Sequence, residues 1–309
     1  MRNQRNARLR RVQGDTVKVL VVPDTHGQDN WIEEIKNYTY DKVVFLGDYF
    51  DNFDGNYKGK VAVDNFEKVV KFVKEDPQNR YLLIGNHDIS YLCNSHCSGY
   101  QPSMRAAYSE ALLKAKDYLK VVADIDGIWF SHAGVSKTWF TEFADFYKER
   151  VDFDQQLTDA EKINSIFSDF LKSVERQHML FTFQSWFEFY HWDTSGCGEH
   201  VKQTPLWIRP NALLEDGLCN GKQVVGHTEY CTDKLLKLTN DAGDILILAD
   251  SSTHKVLGCV DTEKLNDDEN FQCVDDLQDW LQELRNKRYE ESRENLLKDL
   301  LLAIGENGD

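Results

Sequence analysis

Val43-Val44-Phe45-Leu46-Gly47-Asp48-Tyr49-Phe50-Asp51-Asn52 sets four apolar residues in a row before a glycine and two carboxylates. Such a run fits a strand buried on both faces, as in a parallel sheet. Gly47 ends it, because glycine tolerates backbone angles that other residues avoid. A carboxylate just past a buried strand is costly unless a positive group meets it. One Asp there could simply cap a helix, but the same design recurs along the chain. Val19-Leu20-Val21-Val22-Pro23 runs into Asp24-Thr25-His26-Gly27, and Tyr81-Leu82-Leu83-Ile84 into Gly85-Asn86-His87-Asp88. Ile128-Trp129-Phe130-Ser131 runs into His132-Ala133-Gly134, and Lys222-Gln223-Val224-Val225-Gly226 into His227-Thr228. Ligands of open α/β sheets gather outside the carboxyl ends of the strands, so these groups are expected along one edge.

Composition narrows the class. With 309 residues, 41% of them hydrophobic and 12% aromatic, the chain can build one large domain or two small ones. A formal charge of −16 argues against nucleic acid or an anionic membrane surface as the default partner. Seven scattered cysteines, an odd number, speak against a secreted disulfide framework. No segment has the apolar length of a membrane span, and the basic Met1 to Arg11 stretch lacks the apolar core of a signal peptide. A reducing, cytoplasmic compartment is the expectation.

Residues 1–14 carry five Arg and no acid and read as a loose basic arm. Residues 15–261 read as one catalytic domain. Within it, Trp31 to Asn37 and Val61 to Lys74 have helical apolar spacing and lie between strand-like runs, the βαβ signature. Tyr118 to Asp124 and Gly127 to Ser131 read as two strands around the turn Asp126-Gly127. Residues 136–210 interrupt the alternation with a helical insert containing the aromatic run Phe181 to Trp192, a layer on the sheet or a lid over a cleft. Strands resume at Val224-Val225, Leu235 to Leu238, Ile245 to Ala249 and Val256 to Val260, and their hairpins suggest a second, partly antiparallel sheet. Residues 262–309 combine an acidic linker with two leucine stripes, Leu277 to Leu284 and Leu296 to Leu301. Those stripes are expected to dock on the domain or to join copies into a homo-oligomer.

Were Asp24, His26, Asp48, Asn86, His132 and His227 to converge, they would form an oxygen and imidazole set without thiolate. That set suits borderline divalent ions better than calcium or a structural zinc. Six protein ligands are too many for one open catalytic ion and suit two ions sharing a carboxylate. Two such ions polarise a phosphate and generate a hydroxide at neutral pH. Asp-x-His puts two side chains on one side of an extended segment, so Asp24 and His26 could grip the same ion. His87, beside Asn86, would protonate a leaving alkoxide, and Asp51 is available to orient it.

The five ordered blocks resemble the calcineurin-like metallophosphoesterases, over about Val17 to Val260, and within them most resemble phosphoprotein phosphatases of the bacterial and phage type. The resemblance implies a β-sandwich of two mixed sheets flanked by helices, an α/β fold with a dinuclear metal site at the strand ends. It implies one ion held by Asp24, His26 and Asp48 and another by Asp48, Asn86, His132 and His227, with manganese first among Mn, Fe, Zn and Ni. His87 and Asp51 would be the acid dyad. In Thr204-Pro205-Leu206-Trp207-Ile208-Arg209-Pro210 it implies Arg209 as the phosphate clamp, a guanidinium suiting two phosphate oxygens. The expected reaction is hydrolysis of phosphomonoesters, in phosphoproteins or small phosphoesters. One departure concerns Asn52, which stands where the family's phosphatases usually place a second arginine. It leaves Arg209, with Asn52 as a neutral substrate contact, and keeps nucleotide, dinucleoside-polyphosphate and cyclic phosphodiester cleavage open. A non-enzymatic scaffold would show damage among these residues, and none is damaged.

Three further features have a structural and a chemical reading. Cys93-Asn94-Ser95-His96-Cys97 could be a zinc clip but lacks a second Cys/His pair at the right spacing. His178, His191 and His200 fall in the aromatic insert and read as surface residues or as neighbours of the ligands. Asp250 follows the run Ile245 to Ala249, either as a turn cap or hydrogen-bonded to a metal-bound histidine.

Overall fold

The computed structural model describes residues 16–52, 54–93, 95–148, 157–173, 175–184, 198–230, 234–251, 258–274, 279–283 and 286. The strands are β1 (Lys18–Val22), β2 (Lys42–Phe45), β3 (Arg80–Leu83), β4 (Leu119–Lys120), β5 (Val122–Ile125), β6 (Ile128–Ser131), β7 (Lys222–Val225), β8 (Leu236–Thr239), β9 (Ile245–Leu248), β10 (Gly258–Asp261) and β11 (Gln272–Cys273). The α-helices are α1 (Trp31–Glu34), α2 (Lys60–Glu75), α3 (Asn86–Cys93), α4 (Arg105–Lys114), α5 (Lys137–Tyr147), α6 (Asp159–Lys172), α7 (Phe181–Gln184) and α8 (Pro210–Asp216). Two mixed sheets result, one ordered β10-β1-β2-β3-β4 and the other β11-β8-β9-β7-β6-β5.

Alternate residues of each central strand serve different cores. Leu20, Val22, Val43, Phe45, Leu82 and Ile84 pack toward helices, against Ala62, Phe66, Val69 and Val73 of α2. Val19, Val21, Val44, Leu46 and Leu83 meet Ala123, Phe130, Val224 and Ile247 of the other sheet. Leu246 and Leu248 face outward onto Ala212, Leu213 and Leu214 of α8. With both faces covered, the strands need no polar alternation, which is why they read as unbroken apolar runs.

Two strand expectations change. Tyr118 to Asp124 is two strands: β4 pairs with β3 in the first sheet and β5 with β6 in the second. A chain that crosses between packed sheets keeps its apolar character at the corner, and Val121 there is fully buried. The last of the expected strands, β10, does not extend the second sheet but pairs antiparallel with β1 and covers what would be an exposed edge. The Asp126-Gly127 turn is present, with φ of 54° and 79°, the pair of left-handed residues that tight hairpins favour.

Of the insert, α5, α6 and α7 form the helical layer on the first core. Residues 185–192 of the aromatic run, His191 among them, lie outside the described residues, as do the basic arm at 1–14 and the leucine stripe at 296–301. Of the other C-terminal stripe, Trp280 and Leu281 are described: Leu281 is buried and Trp280 packs on the outer core of the second sheet. Among the described residues no helix is long and apolar enough to cross a membrane.

Candidate functional site

β1, β2 and β3 run parallel, as do β6, β7 and β9. Their carboxyl ends therefore deliver Asp24, His26, Asp48, Asn86, His87, His132, His227 and Asp250 to one edge of the sandwich. All but His132 line a single cavity of about 400 Å³, together with Gln28, Asp51, Asn52, Ser98, Trp207, Arg209 and Glu229. His132 lies beneath it, fully buried.

Two donor triads share Asp48. Asp24, His26 and Asp48 bring ligand atoms within 4.8 Å of one another, and so do Asp48, His132 and His227. Asn86 joins the second through its Oδ1, 2.8 Å from His132 Nε2, while Asp48 Oδ2 lies 3.5 Å from the same nitrogen. His26 and His132 each turn Nδ1 to a backbone carbonyl, Phe50 O at 2.8 Å and Leu46 O at 3.1 Å. With Nδ1–H donating there, each Nε2 is left with a lone pair for a cation, the arrangement usual for metal-binding histidine.

Backbone strain concentrates at this edge. His26, Asp48, Asp51 and His227 have φ of 42°, 51°, 65° and 60°, and the other non-glycine residue with positive φ among those described is the hairpin's Asp126. Such conformations cost about 1–3 kcal/mol each and persist where the surroundings over-determine them. Asp and His are among the residues that tolerate them best. Asp24 and His26 thus meet through a left-handed turn rather than the extended segment expected. Gly85 makes room for Asp48: a Cβ there would lie 2.0 Å from Asp48 Oδ1. At Gly226 a Cβ would lie 2.5 Å from Asp24 Oδ1.

The electrostatics call for a cation. Burial, then the charges of Asp250 and Asp48, hold the Asp24 carboxyl well above the ordinary carboxylate range. Burial pushes His132 down to about 4 and lowers His26, so both imidazoles are neutral. Asp250 is raised to about 7 by burial, Glu229 and Asp48, against the opposing pull of Arg209. Mutually repelling carboxylates beside neutral, tautomer-fixed imidazoles are what divalent ions neutralise. The donors present therefore fit a divalent metal.

On one flank, His87 Nδ1 lies 3.2 Å from Asp51 Oδ2, and its Nε2 lies 3.9 Å from Asp48 Oδ2. Burial opposes the charged ring, but Asp48 and the hydrogen bonds from Asp51 and Cys97 outweigh it and raise His87 well above its usual value. Tyr91, one helical turn beyond His87, donates its hydroxyl to Asp51 Oδ1 and accepts Gln101 N–H at 2.8 Å. Asp88 accepts the backbone N–H groups of Asp48, Tyr49 and Gly85 at 2.8–2.9 Å, locking two sequence blocks together. Neither Tyr91 nor Asp88 was assigned a role from sequence, although Asp88 ends the Gly85-Asn86-His87-Asp88 block and Tyr91 keeps helical spacing with His87.

On the opposite flank, the Arg209 backbone N–H donates to Gly198 O at 2.9 Å. Its guanidinium donates to His227 O at 2.7 Å and Thr228 Oγ1 at 3.1 Å. Trp207 stands edge-on to His227 with ring centroids 5.7 Å apart. Asn52 donates to His26 O at 2.6 Å and accepts Asp54 N–H at 2.7 Å, so its amide braces the His26 turn as well as lining the cavity. Asp250 also lines the cavity. His178 and His200 lie away from the cavity lining.

A shared carboxylate between two histidine-bearing triads, at the strand ends of a two-sheet sandwich, defines a metal-dependent phosphoesterase. The chain belongs to the calcineurin-like phosphoesterase family, whose sequence profile matches residues 17–228. Among solved structures it is similar to a cold-active protein-tyrosine phosphatase from the psychrophile Shewanella sp., at 18% identity over 79% of this chain and 74% of that one, TM-score 0.50. A protein serine/threonine phosphatase from Saccharomyces cerevisiae is similar over 38% of each chain, at 21% identity and TM-score 0.28. A metallophosphoesterase from Sphaerobacter thermophilus is similar over 39% of this chain and 48% of that one, at 20% identity and TM-score 0.25. No curated protein matches the chain in sequence.

Proposed function

We propose that the protein hydrolyses phosphomonoesters at a dinuclear, manganese-type centre, as a phosphoprotein phosphatase of the bacterial and phage kind. The observation that carries this reading is the pair of triads sharing Asp48 with a His87–Asp51 dyad on one flank and Arg209 on the other. Asp24, His26 and Asp48 would hold one ion, and Asp48, Asn86, His132 and His227 the second. When bound, two divalent ions polarise a phosphoryl group and supply hydroxide at neutral pH.

The side chains then have separate tasks. Arg209, its guanidinium held by His227 O and Thr228 Oγ1, binds phosphate oxygens. His87 gives the Nε2 proton to the departing alkoxide. Asp51, fixed by Tyr91, keeps the ring turned so that Nε2 and not Nδ1 faces the substrate. Glu229 and Asp250 put two more carboxylates on the cavity wall. They weigh against nucleotides and dinucleoside polyphosphates, whose extra charges they would repel. The catalytic unit is proposed as residues 15–261.

Dialysis against a chelator followed by turnover of an aryl phosphate, a phosphoserine peptide and a phosphotyrosine peptide tests the reading. Activity should vanish and return with Mn²⁺. Full activity in the strictly metal-free protein would sink it, and so would metal binding without turnover, the mark of an inactive scaffold.

A further inference from the structure

The zinc clip suggested by Cys93 and Cys97 is not what the fold builds. Cys97 instead turns toward the acid dyad. Its Sγ lies 3.3 Å from His87 Nδ1 and 3.6 Å from Asp51 Oδ2, and those two atoms are 3.2 Å apart. The three edges form a triangle of one sulfur, one nitrogen and one oxygen donor. A tetrahedral zinc ion, with Zn–S of about 2.3 Å and Zn–N and Zn–O of about 2.0–2.1 Å, spaces such donors about 3.3–3.6 Å apart. Protonated, the same triangle is held by hydrogen bonds, so the donors are already gathered before an ion arrives.

We infer that Asp51, His87 and Cys97 form a third cation site, separate from the Asp48-centred pair, that takes one zinc-class divalent ion. It is separate because the imidazole stands between the two: Nε2 faces Asp48, whereas Nδ1 faces Asp51 and Cys97. It is selective because it holds a sulfur donor, while the Asp48 centre offers oxygen and imidazole alone. The neighbours support it. Tyr91 holds the far carboxylate oxygen of Asp51, and Ser90 Oγ, which donates to Asn86 O at 2.7 Å, lies 3.3 Å from Cys97 Sγ. His87 and Cys97 are both partly exposed, and Asp51 and His87 line the cavity.

Binding balances as an exchange. With His87 as imidazolium, one proton leaves the Cys97 thiol and one leaves His87 Nδ1, both to solvent, and one divalent ion takes their place. His87 then keeps only the Nε2–H of a neutral imidazole, a far weaker acid than imidazolium. A filled site would therefore silence proton donation, a consequence that rests on the role proposed for His87. The site itself does not rest on that role.

Cobalt(II) reports the site without recourse to activity, because a thiolate-to-cobalt charge-transfer band cannot come from a centre lacking sulfur. Titrating Co²⁺ into the full-length, Mn²⁺-loaded protein should raise that band to saturation at one thiolate-bound ion per chain, and Cys97→Ser should abolish it. No band in the wild type, or a band that survives Cys97→Ser, overturns the proposal. Should Cys97→Ser fail to fold, iodoacetamide mapping of the wild type by peptide mass spectrometry decides. Zn²⁺ should slow alkylation of Cys97 at least about tenfold and leave Cys93 unchanged. Equal protection of both would restore the Cys93–Cys97 clip, and protection of neither would leave no zinc at Cys97; either result overturns the assignment.

Discussion

The two flanks of the cavity are built differently. The flank proposed to meet the leaving group is dense: His87, Asp51, Tyr91, Cys97 and Gln101 hold one another in a continuous hydrogen-bonded chain. The flank proposed to bind phosphate has one guanidinium, Arg209, beside Glu229 and Asp250. On the proposed roles, the contrast means that this site commits more structure to placing a proton than to gathering negative charge. Activity should therefore depend steeply on the leaving group, and phosphate affinity should hang on one residue.

The largest effect is expected where the dense flank meets the substrate. His87→Asn removes the Nε2 proton, and a positioned acid contributes roughly 10²–10⁴ in rate. Turnover of an alkyl phosphate should fall by that order while an aryl phosphate, whose leaving group needs less protonation, falls much less. Metal content by elemental analysis should stay at the wild-type value. Equal losses on both substrates would mean that His87 positions rather than protonates, and the contrast between flanks would lose its chemical meaning.

Arg209→Ala addresses the thin flank. With no second arginine at position 52, its loss should raise KM and lower kcat together, by about 2–5 kcal/mol in kcat/KM, the scale seen when a buried charge loses its partner. The loss should be similar for alkyl and aryl phosphates, because the phosphoryl group is common to both. Steady-state kinetics on the two substrates separates this pattern from that of His87. Wild-type behaviour would show that another basic residue binds the phosphate.

How much of this was legible in the sequence depends on what each signal records. Strand ends carrying Asp, Asn and His are local and repeated, so the edge on which they gather could be read directly. The His87–Asp51 pairing was also legible, because each residue sits at a fixed offset from a strand end. The left-handed turns at His26, Asp48, Asp51 and His227 were not, because Asp and His occupy ordinary backbone far more often. Nor was the arrival of Tyr91 and Cys97 at Asp51. Those contacts join residues 40 and 46 positions apart in sequence, and nothing in the intervening pattern fixes their distance. The sheet switch at Val121 and the return of β10 to β1 escaped for a related reason: hydrophobicity records burial and not which sheet supplies it.

The smallest expected effect concerns Asn52, the neutral cavity-lining residue where a second arginine would have thickened the thin flank. Its amide donates to His26 O and accepts from Asp54 N–H, so both ends brace backbone around the strained His26. Each such bond is worth about 0.5–1.5 kcal/mol of net stability. Asn52→Ala should therefore lower stability by about 1–3 kcal/mol and weaken Mn²⁺ retention, while kcat at saturating Mn²⁺ changes by less than about threefold. Asn52→Asp keeps the acceptor toward Asp54 and loses the donor toward His26, so it should weaken Mn²⁺ retention more than Asn52→Ser. Asn52→Arg adds a guanidinium but forfeits both braces, so its gain in phosphate binding should appear only with Mn²⁺ in excess. Thermal melts, metal titration and kinetics at two Mn²⁺ concentrations distinguish these outcomes. A large fall in kcat for Asn52→Ala at saturating metal, with KM unchanged, would show that Asn52 contacts the phosphoryl group in the transition state. The thin flank would then have a second arm.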